Sequence, residues 1–335
     1  MNADLRTTYL GMELSSPLVV SACPLTERVD RLKKMEAFGA AAVVLPSLFE
    51  EQIDALEMDL HHLHEDAANS FAEAMSYLPE LSDYNIGPKG YLERVAAAKA
   101  SVSIPVIASL NGATAGGWTR YAKQIEEAGA DALELNIYSI PVDPAIDSSA
   151  VEGVYVELVA QVRSAVSIPL AVKVSPFFSA MANMATRLVD AGADGLVLFN
   201  RFLHTDIDLD EMRVVPRLAL SEPYEARLPL AWIAILRDQI DRSLAATRGV
   251  HEAEDVVKLL AVGADVTMTT SALYKHGIEH LTTMRDGLQV WLDEHEYESV
   301  SQLKGSLSRE NVPDPGAFER LNYMRALSSF GSGRV

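Results

Sequence analysis

Short runs that are apolar at nearly every position recur along the chain. Before each comes a stretch in which apolar residues fall every three or four positions and which ends on a glycine. The phrase appears as AFGAAAVVLPS at 37–47, EAGADALELN at 127–136, DAGADGLVLFN at 190–200 and AVGADVTMTT at 261–270. An amphipathic helix closed by a left-handed glycine and followed at once by a buried strand accounts for each copy. A second phrase, SVSIPVIASLNG at 101–112 and AVSIPLAVKVSP at 165–176, puts a Ser-Ile-Pro turn before a strand apolar on both faces. The two phrases keep step, with Ile104 and Ile168 64 residues apart and Gly129 and Gly192 63 apart, so one β-α-β module occurs twice.

Extended over the whole chain, the pattern predicts eight strands, at 17–22, 41–46, 105–110, 132–136, 169–174, 195–199, 243–247 and 264–270. Helical runs at 27–38, 118–128, 150–165, 179–191 and 251–262 alternate with them. Eight such units favour an α/β fold of the closed (β/α)8 TIM-barrel type over an open doubly wound sheet, and no G-x-G-x-x-G follows any strand to support the open form. The expectation is one domain over 1–335, with the barrel at about 17–285 and a polar helical tail from about 286 that packs outside it. The segment LRTTYLGMELSSP before strand one reads as a hairpin closing the bottom of the barrel. Long connections after strand two (47–103) and strand six (200–242) fall on the catalytic face, where they predict a lid.

Composition narrows the chemistry. With 28 Lys and Arg against 47 Asp and Glu, the net charge of −19 disfavours nucleic acid and anionic membrane as partners. No segment approaches the roughly 18 apolar residues of a spanning helix and no signal sequence opens the chain, so the expected location is cytoplasmic. Cys23 is the only cysteine, which rules out an intramolecular disulfide or an iron-sulfur cluster built from this chain alone. Any electrons must travel on an organic cofactor. The cluster HHLHEDA at 61–67 has spacing for a shared helical face but not H-E-x-x-H, and reads as a solvated face with no metal.

Barrel enzymes work with side chains at the C-terminal ends of their strands. Those ends carry Ser21, Ala22 and Cys23; Ser47; Ser109 and Asn111; Asn136; Lys173; Asn200; Thr247, Arg248 and Gly249; and Thr270 and Ser271. Lys173 stands out, because it interrupts the apolar strand PLAVKVSP between the small residues Ala171 and Ser175. Three readings are open: an ion pair with a barrel carboxylate such as Glu134, a cation stabilising negative charge on a bound ring, or a Schiff-base nucleophile. After strands seven and eight, TRGVHEAED and TTSALY each lead into a helix, an arrangement that binds phosphate in many barrels. Plain helix caps at Thr270 and Ser271 are the alternative there.

These ends, from about residue 5 to 285, resemble the dihydroorotate dehydrogenase family. The resemblance is carried by SSPLVVSA, by S-L-N-G and E-L-N on strands three and four, by A-V-K-V-S-P on strand five, and by R-G-V and T-S-A-L-Y on strands seven and eight. It implies FMN as cofactor, lying across the barrel mouth. Ser21 and Ala22 would then line the ring, with Ser47, Asn111 and Asn136 beside it, and Lys173 would support its N1/O2 edge. Thr247, Arg248, Gly249, Thr270 and Ser271 would hold the ribityl phosphate, joined by Ser221. Asn85 and Gly87 of the first lid, with Asn136 and Asn200, would meet the substrate. Ser139, three residues after the strand-four asparagine, takes the position of the catalytic base, and Tyr138 is the second candidate.

The sequence also departs from the family. Ile140 precedes Pro141, and Val142 and Asp143 follow it where a substrate-binding asparagine is expected; Leu45-Pro46 replaces a lysine. Each lost charged hydrogen bond is worth about 1.5–3 kcal/mol, so oxidation of a CH-CH bond in dihydroorotate or a related small cyclic substrate is the function implied. The competing functions are a Schiff-base aldolase on a phosphorylated sugar, and a flavin-binding subunit without turnover in a larger redox complex. The resemblance further implies pairing into a homodimer, with an electron acceptor or redox partner that the residues do not identify.

Overall fold

The computed structural model describes residues 2–53, 87–112, 118–201, 204–217, 219–319, 323–324 and 327–328. It opens with the expected hairpin, β1 (Thr7–Tyr9) and β2 (Met12–Leu14). Six parallel strands follow: β3 (Leu18–Val20), β4 (Ala42–Phe49), β5 (Val106–Gly112), β6 (Ala132–Ile137), β7 (Leu170–Val174) and β8 (Gly195–Leu198). The antiparallel pair β9 (His204–Asp208) and β10 (Arg213–Arg217) then intervenes before β11 (Ser243–Thr247) and β12 (Val266–Thr269). Strands β3 to β8, β11 and β12 form one closed barrel, sealed where Thr267 and Met268 pair with Leu18 and Val19. The sequence pattern predicts this architecture, and its glycine phrase behaves as expected, with Gly39, Gly129, Gly192 and Gly263 at φ of +103°, +94°, +111° and +118°.

The lower bore is lined by small residues, Ala42, Ala132, Ala171 and Ala245 among them, which leaves a space that the hairpin fills with Tyr9, Leu10 and Leu14. The two-residue turn Leu10-Gly11 has positive φ at both positions, matching the twist of the strands it joins. Tyr9 is fully buried and its hydroxyl has no hydrogen-bond partner among the described residues; burial, then the negative charges of Glu134 and Asp265, push its proton affinity up. An unsatisfied buried hydroxyl costs about 1–3 kcal/mol. Tyr9→Phe is therefore expected to raise the thermal unfolding temperature, whereas Tyr9→Ala opens the bore and should cost about 3–5 kcal/mol. A destabilised Phe variant would show that the hydroxyl is bonded.

Two crossover helices lie within the long connections. Gly87–Ser101 buries Tyr91, Val95 and Ala98, and Arg227–Leu236 buries Pro229, Ile233, Ala234 and Leu236. The helix His280–Glu294 begins ahead of the expected tail boundary at 286, because Leu281, Met284, Leu288 and Leu292 form one apolar stripe that packs on the barrel. The N-terminal segment is tied to later parts of the chain: Asp4 bridges to Ser299, Val300 N-H donates to the Asp4 carbonyl at 2.9 Å, and the Thr7 hydroxyl donates to the Asp265 carbonyl at 2.9 Å. Among the described residues, no helix is long and apolar enough to cross a membrane.

Candidate active site

Parallel strands in register carry side chains in level rows, and the period of two sends alternate residues inward. Asn111, Asn136 and Lys173 are register neighbours on β5, β6 and β7. One inward step lower, Ser47, Ser109, Glu134 and Ala171 form the row beneath. Lys173 Nζ lies 3.4 Å from Glu134 Oε1 and 3.5 Å from Ser21 Oγ. Both contacts sit at the outer limit for a hydrogen bond, and an ammonium has three donors, so this one is incompletely used. Glu134 is fully buried with Oε2 unpartnered, and Asn136 Oδ1 above it is likewise buried without a partner. The floor of the barrel mouth is thus a buried ion pair topped by polar atoms without a partner among the described residues.

Ser47 stands where Leu45-Pro46 breaks the β4–β5 ladder, since proline cannot donate and a bulge results. Its hydroxyl bonds Ser109 Oγ at 2.8 Å, while the Tyr91 hydroxyl donates to the Ser109 carbonyl at 3.0 Å and accepts from the Ser109 N-H at 2.8 Å.

The opposite wall is built by the loops after β11 and β12. Gly249, at φ +68°, packs against the 3-10 helix Pro223–Ala226, which is held by a capping box between Glu222 and Glu225. Arg248 forms an ion pair with Glu225. Burial alone would raise the Glu225 carboxyl, but the Glu222 N-H, Arg248 and Arg201 outweigh it and hold the group below the usual carboxylate range. The Ser221 N-H donates to Ser271 Oγ at 2.9 Å, and Ser221 Oγ lies 3.4 Å from both the Gly249 N-H nitrogen and His251 Nε2.

Between floor and wall is a cavity of about 390 Å³, within the range of small-molecule sites. The sequence-predicted Ser21, Ala22 and Lys173 line its floor side, and Ser221, Thr247, Arg248, Gly249, Thr270 and Ser271 the opposite wall. Arg201, Phe199, Cys23 and Tyr274 also line it; reading one residue past Asn200 would have found Arg201. Ser47, Asn111 and Asn136 stand in the rows already described rather than on the cavity wall. Asn200 is buried, its Nδ2 donating to the Ile137 and Lys173 carbonyls at 3.1 and 3.3 Å, so it ties the rim of three strands together. Ser139 is half-buried and its hydroxyl has no partner among the described residues; Ile140 and Val142 beyond it are exposed. Gly87, at φ +62°, begins the helix Gly87–Ser101, whereas Asn85, His61, His64 and Glu65 lie outside the described residues. Among the described residues no cluster could hold a metal ion. A larger, open polar groove of about 810 Å³ runs under the barrel, but its Arg163, Arg237 and Lys304 are already paired with Asp194 and Asp265.

His251 is the titratable group that sequence reading passed over. It is buried, and burial followed by the charge of Lys275 pushes it below the ordinary histidine range, against the pull of Ser221, Asp255 and Glu222. The unfolded chain therefore binds this proton more tightly than the folded one. Its stabilising contribution is complete above about pH 6.5 and is lost as the pH falls from there toward the lowered folded value. The unfolding temperature should drop across that window, and His251→Gln should flatten the drop; parallel curves for the two proteins would contradict this.

Comparison with known proteins adds the following. The family model described as dihydroorotate dehydrogenase matches residues 75–292. The catalytic subunit of dihydroorotate dehydrogenase B (NAD(+)) from Thermoplasma volcanium is 25% identical over 312 residues, covering 90% of this chain and 98% of that protein. Its counterpart from Shouchella clausii is 28% identical over 228 residues, or 66% and 74% of the two chains. The NAD-dependent dihydropyrimidine dehydrogenase subunit PreA of Escherichia coli K12 is 24% identical over 341 residues, or 93% and 79%.

Proposed function

The chain belongs to the dihydroorotate dehydrogenase family, and from that premise we propose that it is an FMN-dependent oxidoreductase acting on the CH-CH bond of a dihydropyrimidine. The observation that carries the proposal is the single cavity joining Lys173 at one end to the Ser221, Gly249 and Ser271 loops at the other. An elongated ligand with a phosphate at one end and a polar, electron-accepting ring at the other fits that layout. The underused Lys173 ammonium, which lines the cavity, offers a donor to such a ring. When bound, FMN supplies two-electron hydride chemistry that no side chain of this protein can perform. The chain contributes a fixed positive charge at the floor, which favours electron density gathering there, and Ser139 as the group proposed to move the substrate proton.

The ion pair with Glu134 disfavours the Schiff-base reading, because a salt-bridged ammonium has no lone pair to offer a carbonyl. For the substrate, both a dihydroorotate and a dihydropyrimidine without a carboxylate are consistent with the named relatives. Those names also support a separate redox partner, since Cys23 alone provides no cluster to carry electrons away. The test is the flavin spectrum of the purified protein, followed by anaerobic bleaching with dihydroorotate and dihydrouracil. A colourless protein that takes up no FMN would refute the cofactor. A yellow protein bleached by neither compound would favour the flavin-binding subunit without turnover.

A further inference from the structure

We infer that Arg201 is the charge partner of the ligand's phosphate, and the residue by which the cavity selects a phosphorylated flavin over the unphosphorylated one; this rests on the flavin reading above. Among the described residues, three cations line the cavity. Lys173 faces Glu134 and Arg248 is paired with Glu225, whereas Arg201 makes no hydrogen bond or ion pair with any described residue. Two carboxylates thus balance two of the three charges, and one positive charge is left over in the wall of a chain whose net charge is −19. A partly buried guanidinium without a counter-ion is unfavourable until an anion meets it.

Its neighbours say which end of the ligand that anion belongs to. Burial and the like charge of Arg248 oppose the charge on Arg201, and Glu225 favours it, so Arg201 lies within electrostatic reach of both members of the pair that flanks Gly249. That is the phosphate side of the cavity and not its Lys173 floor. The loops there are also less generous with donors than their position suggests. The Gly249 N-H is directed to Ser221 Oγ and the Ser221 N-H to Ser271 Oγ, while Arg248 turns its guanidinium to Glu225. A phosphate dianion arriving at this wall needs a cation of its own, and the planar fork of a guanidinium matches two phosphate oxygens at once.

The experiment titrates flavin-free wild type, Arg201→Gln and Arg201→Lys with FMN and with riboflavin, following the change in flavin fluorescence. Wild type should prefer FMN. Arg201→Gln should weaken FMN at least about tenfold, the loss of one charged hydrogen bond, and leave riboflavin unchanged. Arg201→Lys, which keeps the charge but not the fork, should fall between them. Equal weakening of both ligands, or no weakening of either, would overturn the inference. So would unchanged FMN affinity accompanied by a raised KM for dihydroorotate but not for dihydrouracil, since Arg201 would then serve a substrate carboxylate. Failure of wild type to bind either flavin is a separate result, and it removes the flavin reading itself.

Discussion

Replacing Lys173 with methionine is expected to cost about 3–5 kcal/mol of folding stability and to slow flavin reduction by roughly 10²–10³-fold. The stability loss comes from Glu134. Its carboxylate is fully buried, Lys173 is the cation beside it, and its second oxygen is already unpartnered. Removing the ammonium leaves an uncompensated charge where water cannot reach. The rate loss comes from the other side of the same ammonium, which faces the cavity and supplies the floor's positive charge. The two effects separate in the double variant Lys173→Met with Glu134→Gln, which removes both charges together. It should recover most of the stability in denaturant unfolding and none of the rate. A single Lys173→Met variant as stable as wild type would contradict this dependence of Glu134 on Lys173.

Gly249→Ala is expected to lose about 2–4 kcal/mol and most flavin affinity. Residue 249 holds φ at +68°, and an added Cβ would stand 2.3 Å from Ala226 N and 2.9 Å from the Pro223 carbonyl oxygen. Both obstacles are backbone, so relief requires the 3-10 helix to move, and Glu225 on that helix anchors Arg248. Ser221, whose hydroxyl receives the Gly249 N-H, would shift with it. Gly153→Ala provides the control. It lies in the helix Ser148–Ala165 with open space where a Cβ would stand, and should be neutral or stabilising by about 0.5–1 kcal/mol. Equal losses at the two glycines would contradict the close-approach argument.

The barrel could be read from the sequence because its strands and most of its helices announce themselves locally. The helix Met181–Asp190 buries Met181, Met184, Ala185 and Leu188 on one stripe and ends before Gly192, and any window of that length shows it. The helix Arg227–Leu236 shows no such stripe. Its sequence RLPLAWIAIL is apolar nearly all round and contains a proline, so neither period nor cap marks it. That Thr247 to Gly249 and Thr270 to Ser271 share one cavity wall was legible for the same reason as the helices, since they are contiguous runs at strand-to-helix junctions. The rest of the site depends on relations between strands. That Ser47 bonds Ser109 across a bulge, or that Asn200 ties the Ile137 and Lys173 carbonyls, follows from register, which no single segment encodes. Reading one residue further along the chain reaches Arg201, but that Lys173 and Arg248 are paired with Glu134 and Glu225 is visible only in the folded chain.

Closure of the barrel pairs its first strand with its last, which orders the steps by which the protein is made. The seam between β3 and β12 joins residues about 250 positions apart, and contacts of such long range close slowly because the intervening loop must first be ordered. Ser21 and Thr270 flank that seam, with the Thr270 hydroxyl 3.4 Å from the Ser21 carbonyl. A growing chain on the ribosome therefore cannot present a complete cavity until β12 has emerged, and a ligand has nothing to bind before the ring is shut. Once it binds, it stabilises the closed barrel as a whole and no single segment of it. Flavin uptake during synthesis would then mark the moment of closure, and a chain truncated ahead of residue 266 would stay colourless however well its individual helices form.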